Sequence, residues 1–151
     1  MQIRPASKND ADSISALILD VKHFFTLNKN GDGAEEFLKS ITPSGIAGFI
    51  EADNFSYFVA HIGDELAGVV AIRDNKHLFH LFVVPKFQRQ KIAEQLWQFA
   101  KADAAQSGNK SGFTVNSTPY AVPVYERFGF QVDGPRVEMH GIAFVPMKLV
   151  G

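Results

Sequence analysis

Hydrophobic residues recur at two spacings along this chain, and the changes between them divide it into elements. Gln2–Pro5 reads as a short strand closed by Pro5. Over Asp10–Phe25, Ile14, Leu17, Ile18 and Val21 fall at helical spacing, with Ser7, Asn9 or Asp10 available as the cap. Asn28–Gly33 is a turn cluster, and Ala34–Ser40 and Gly45–Glu51 read as two short helices around Pro43. Asn54–Ile62 and Leu66–Arg73 read as strands joined at Gly63-Asp64, a hairpin signal. A turn at Asp74-Asn75 leads into His77–Val84, whose apolar run predicts a central strand buried on both faces.

Pro85 ends that strand, and a helix is expected from about Arg89 to Gln106, with Ile92, Leu96, Phe99 and Ala100 as its apolar ridge. Ser107-Gly108 stops it. Phe113–Asn116 is a short β-rich run. Thr118 and Pro119 make a cap and first-turn pair for a helix ending at Phe128 before Gly129. Pro123 is tolerated only near a first turn, which moves the start toward Tyr120 or Ala121. Phe130–Val132, Val137–Met139 and Ile142–Leu149 read as closing strands. This order predicts a mixed α/β sheet, not a regularly alternating parallel one.

Composition narrows the function. With 151 residues, one domain over 1–151 is expected, large enough to fold without a staple. The absence of cysteine excludes disulfides, thiolate catalysis and Cys-based metal sites. A net charge of -1 argues against binding to nucleic acid or a membrane surface, which needs a basic excess. No stretch approaches the roughly 20 apolar residues of a membrane span, and MQIRPASKND has no apolar signal core. A cytoplasmic location is therefore expected. The 14 Phe supply ample core and pocket material.

Residues 77–97 carry the most chemical information. A buried strand, a short loop and a long helix follow without a gap. The loop delivers backbone N–H groups at a helix N-terminus, where the helix dipole favours anions. Gln88, Arg89, Gln90 and Lys91 add donors and two positive charges, which suits a phosphate or pyrophosphate. A solvated polar first turn would read the same way. No Walker-type loop is present, and the absence of glycine here rules out a dinucleotide fingerprint.

The run Val83-Val84-Pro85-Lys86-Phe87-Gln88-Arg89-Gln90-Lys91-Ile92-Ala93 resembles the coenzyme A signature of the GCN5-related N-acetyltransferase (GNAT) superfamily. Further along, Tyr125 precedes Phe128-Gly129-Phe130, similar to the family's tyrosine on a helix ending in Gly-Phe. Phe113–Ser117 and the Gly141–Met147 strand resemble the family as well. The likeness runs over nearly the whole chain. It implies an acyl-CoA N-acyltransferase fold: a central mixed, largely antiparallel sheet of six or seven strands, splayed in the middle and flanked by about four helices.

The resemblance also implies a chemistry. Acetyl-CoA is the expected cosubstrate, with no metal, held in a V-shaped gap between His77–Val84 and Phe113–Asn116. The backbone of Phe82, Val83 and Val84 would pair with the pantetheine arm, and the amides of Gln88, Arg89, Gln90, Lys91, Ile92 and Ala93 would hold the pyrophosphate. Lys91 stands where the family usually has glycine, so it either crowds the phosphates or adds a charge contact. An amine would attack directly, with the Val83 N–H steadying the oxyanion. Tyr125 takes the place of the general acid that protonates the thiolate; a core aromatic is the other reading. Asn116 would bond cofactor or water, or else close a turn.

A base is needed to take a proton from the ammonium, and histidine suits the task. His77 aligns with a position where some relatives carry a catalytic Glu or His. His80, an odd number of residues away, should face the other side of the sheet as a core histidine. The expected acceptor is a primary amine of a small molecule, peptide or protein, and dimerisation through the C-terminal strands is a further expectation. The alternative function is a non-catalytic acyl-CoA-binding or sensing domain. Asn28–Gly33 imitates the start of a calcium loop, but Lys39 stands where a bidentate Glu is required, so it reads as a loop. Phe24, Phe25, Phe37 and Phe49 are candidates for an amine pocket or for the core. Trp97 reads as core or interface.

Overall fold

A computed structural model describes residues 1–24, 26–28 and 30–150. The elements in chain order are β1 (Gln2–Pro5), α1 (Ala11–Val21), α2 (Glu35–Ser40), α3 (Pro43–Glu51), β2 (Phe55–Ile62), β3 (Glu65–Arg73), β4 (His77–Val83), α4 (Ile92–Gln106), β5 (Phe113–Ser117), α5 (Val122–Arg127), β6 (Gln131–Val132), β7 (Val137–Met139) and β8 (Ile142–Leu149). Among the described residues, eight strands run in the order β1-β2-β3-β4-β5-β8-β6, with β7 on β8. Every pairing is antiparallel except β4 with β5. The mixed, largely antiparallel α/β sheet is as expected. It counts more pieces among the described residues because β6 spans two residues and β7 three.

Helix limits follow local chemistry. Asp10 closes a bidentate pair with Arg4, at 2.8 and 2.9 Å, and accepts the Ser7 N–H at 2.8 Å, fixing the chain ahead of α1. α1 stops at Val21 and tightens into a 3-10 turn over Lys22–Phe24, short of the expected end; Phe25 lies outside the described residues. α4 begins at Ile92, three residues later than expected. Arg89 and Lys91 hold φ of 65° and 63°, a left-handed conformation no helix can include. Thr118 caps a 3-10 turn over Pro119–Ala121, accepting the Ala121 N–H at 3.2 Å, and α5 follows with Pro123 in its first turn.

The sheet has a core on each face. Leu78, Ile92, Leu96, Trp97, Phe113, Val115, Tyr125 and Phe130 pack on the α4–α5 face. Ile14, Ile18, Ile41, Ile46, Val59, Val69 and Ala71 pack on the α1–α3 face. Trp97 is fully buried, whereas Phe99, expected on the same ridge, is 40 % exposed and leans edge-on against Phe58.

Two features position the site. The β3–β4 register slips between Ala71↔His80 and Ile72↔Leu78, so Phe79 is an extra residue, a β-bulge. The bulge breaks the two-residue alternation. His80 pairs with Ala71 and His77 with Arg73 and Thr114, which places both histidines on the α1–α3 face, against the expectation of opposite faces. The parallel β4–β5 pairing consists of only His77↔Thr114 and Leu78↔Val115. Beyond Leu78 the two strands part.

The segment before α2 is pinned to the β7–β8 hairpin. Leu27 N–H bonds the Gly141 carbonyl at 2.8 Å, and Thr26 bridges Ile142. Gly141, at φ +76°, lies so close to the backbone of Gly33 and Ala34 that a Cβ would not fit. Lys29, within the turn expected at Asn28–Gly33, lies outside the described residues.

Candidate active site

Where β4 and β5 part, the α4–α5 face opens into a cleft of about 730 Å³. Backbone direction along β4 decides what this cleft can bind. Val84 N–H bonds the Ala67 carbonyl of β3 at 2.8 Å. By alternation Phe82 also turns its backbone to β3, while Leu81 and Val83 turn theirs toward the gap. In agreement, the Val83 carbonyl accepts the Gln88 side chain, at 3.2 Å, rather than a rung of the sheet. The free edge of β4 thus offers N–H groups to an extended ligand.

The loop completes the cradle. No side chain caps α4, so the amides of its first turn lack a partner from the cap. Arg89 and Lys91 line the cleft beside them, Arg127 faces it from α5, and Glu94 is the one carboxylate in the lining. Lys91 itself is left-handed, a conformation that glycine adopts at no steric cost, and its side chain lines the cleft.

Tyr125 is 7 % exposed and sits in the lining, held edge-on by Phe128 at 5.9 Å and Phe130 at 5.6 Å. Among the described residues its hydroxyl has no hydrogen-bond partner, yet it is not a sealed polar atom; only Trp97 Nε1 is both sealed and unpartnered. Burial raises its pKa far above the usual phenol value, so it keeps its proton.

Of the residues expected to bind cofactor, Val83, Gln88, Arg89, Lys91, Ile92 and Ala93 line the cleft. Phe82 and Val84 belong to the opposite core, and Gln90 and Asn116 are exposed outside the lining. His77 is not brought to the cleft. It sits in the closed part of the sheet, its Nδ1 2.8 Å from Thr114 Oγ1, and burial first, then Arg73, lowers its pKa to about 4. Leu81, Phe87, Glu94, Ala121, Val124, Arg127 and Phe128 complete the lining and were not expected there. Val124, Arg127 and Phe128 share a helix face at spacings of three and four, a signal the sequence does contain. Among the described residues no group of His, Asp or Glu could hold a metal, and no helix is long and apolar enough to cross a membrane.

The profile of the acetyltransferase (GNAT) domain matches residues 25–150. The chain belongs to the GNAT family. Solved structures agree on the fold of this GNAT domain. It is similar to the PaiA N-acetyltransferase of Thermoplasma acidophilum in complex with coenzyme A, with TM-score 0.80 and 16% identity over 99% of this chain and 98% of that one. A GCN5-related N-acetyltransferase of Rhodopseudomonas palustris superposes with TM-score 0.78 and 16% identity, over 99% and 94% of the two chains. An aminoglycoside 6'-N-acetyltransferase complexed with coenzyme A gives 0.75 and 14%, over 99% and 97%. No curated protein is significantly similar to the chain in sequence.

Proposed function

We propose that this chain is an N-acetyltransferase that carries the acetyl group of acetyl-CoA to a primary amine of a small-molecule, peptide or protein acceptor by direct attack. The observation that carries the reading is the Tyr125 hydroxyl. It is protonated, free of protein partners among the described residues, and in the same cleft as the uncapped α4 terminus and its cations. A domain that only senses acyl-CoA needs the cradle but not the phenol.

The cations that line the cleft support an anionic donor. Arg89, Lys91 and the first-turn amides of α4 would hold the pyrophosphate, with Arg127 across from them. The free edge at Leu81 and Val83 would pair with the pantetheine arm as an added strand. Acetyl-CoA, when bound, supplies an activated thioester carbonyl. Of the two edge N–H groups, at Leu81 and Val83, the one that the arm leaves unpaired is the donor for the oxygen of that carbonyl. Tyr125 holds the proton that the departing sulfur requires.

Replacing Tyr125 with Phe tests the reading. Turnover should fall by about 10²–10⁴ while acetyl-CoA affinity, read by calorimetry, is kept. Full turnover in Tyr125→Phe would remove the tyrosine from the mechanism. Absence of acetyl-CoA binding in the unmodified protein would overturn the proposal as a whole.

A further inference from the structure

His80 is a buried imidazole that the steps above leave without a task. It is 6 % exposed, and the bulge at Phe79 turns it onto the α1–α3 face, two residues past the last β4–β5 rung. Its Nδ1 lies 2.9 Å from the Tyr57 hydroxyl. Phe79 stacks on the ring at 4.3 Å, and Phe82 and Phe49 flank it at 5.4 and 5.9 Å. Among the described residues, the rings packed on it are three phenyls and one phenol. No charged neighbour perturbs it, and burial alone drives its pKa down to about 3, so it is neutral at physiological pH.

The partner fixes the tautomer. Tyr57 is buried, its phenol is pushed well above the usual value, and its hydroxyl has no other partner among the described residues. It must therefore spend its proton on Nδ1, which accepts. The remaining proton then sits on Nε2, which has no partner among the described residues and is not a sealed atom. An N–H donor in an aromatic wall is thus left without a protein partner among the described residues, on the α1–α3 face two residues past the last β4–β5 rung.

With the donor occupying the α4–α5 face, an amine must reach the gap from the α1–α3 face, where His80 stands. We infer that His80 donates a hydrogen bond from Nε2 to an oxygen of the acceptor, so that the substrates are primary amines carrying a carbonyl or hydroxyl oxygen close to the nitrogen. This rests on the acetyl-transfer reading. An apolar site holding one desolvated donor discriminates strongly against ligands that leave it unpaired. Tyr57 is a positioning residue, acting only through the tautomer it imposes.

The test pairs glycinamide with n-propylamine. Expected is a loss of about ten- to a hundredfold in kcat/KM for glycinamide in His80→Phe, with propylamine and the KM for acetyl-CoA unchanged, and partial recovery in His80→Gln. An equal loss for both amines, or none, would overturn the assignment. Nitrogen-15 NMR of the unmodified protein, loaded with coenzyme A, supplies a readout independent of turnover. His80 should be the neutral Nε2–H tautomer from pH 8 to pH 5, with Nε2 shifted by glycinamide and not by propylamine. The Nδ1–H tautomer, titration near pH 6.5, or equal responses to the two amines would each refute the proposal. Coenzyme A binding and a glycinamide shift without any acetylation would sink the acetyl-transfer reading while supporting the His80 contact. Tyr57→Phe serves should His80→Phe fail to fold: it should mix the tautomers and erode the glycinamide preference, and an intact preference would remove Tyr57 from the account.

Discussion

A left-handed backbone costs a side-chain-bearing residue roughly 1–2 kcal/mol, and the loop before α4 holds two such residues, Arg89 and Lys91. Glycine at 91 would relieve that cost but lose about 0.5–1 kcal/mol to its freedom in the unfolded chain. Lys91→Gly should therefore stabilise the fold by about 0.5 kcal/mol, read as a rise in Tm, and Lys91→Ala should not. Both remove the charge, so both should bind acetyl-CoA more weakly at low salt, with the difference fading as salt rises. The two histidines of β4 make a second prediction. Their folded pKa values, about 4 for His77 and about 3 for His80, lie below the unfolded 6.5. Above pH 6.5 neither state takes the proton; below it the unfolded chain does first. Stability should then fall with pH from about 6.5 toward 4, by up to about 1.4 kcal/mol per unit for His80, with a smaller part from the more exposed His77. Urea midpoints at pH 7.5 and 5.0 measure this, and His80→Phe should flatten the slope. If His77 only ties β4 to β5, His77→Ala will leave the acidic limb of the pH–rate profile in place; loss of that limb would restore it as the base.

Among the elements, β3 and β4 fix the geometry that the cleft depends on. Gly68 pairs with Val83, and a Cβ there would meet the Phe82 carbonyl oxygen at 2.8 Å and Leu96 Cδ1 at 2.9 Å. Gly68→Ala should cost about 1–3 kcal/mol and disturb the Val83 edge, so weaker acetyl-CoA binding should accompany a lower Tm. The order of strands and helices could be read from the chain because apolar spacing, prolines and caps are local signals. The bulge could not. Phe79 sits in a run where nearly every residue is apolar, so the period carries no phase, and the slip exists only relative to β3. The misplaced start of α4 has a similar cause: nothing in the letters of Arg89 and Lys91 announces a positive φ. The lining of the cleft was readable where a motif carried it, at Val83, Gln88, Arg89, Lys91 and Tyr125. It was not readable where only the parting of two distant strands defines it, as for Leu81 and Ala121.

On the scale of the molecule, the overall charge of -1 conceals a cleft that gathers Arg89, Lys91 and Arg127 against Glu94. A bound acetyl-CoA that pairs with the β4 edge should slow hydrogen exchange at the Leu81 and Val83 amides. At a hundred times its dissociation constant it should also add about 2.7 kcal/mol of stability. A rise in Tm without protection at those two amides would place the ligand elsewhere.

The two-rung junction has a mechanical meaning as well. Among the described residues, four strands stand on one side of it and four on the other, yet only the His77 and Leu78 pairings join strand to strand across it. Load directed across the sheet will concentrate on that seam. In a force experiment with handles on β1 and β8, the first rupture should separate the two halves there, at a force that a strand-like ligand in the gap would raise.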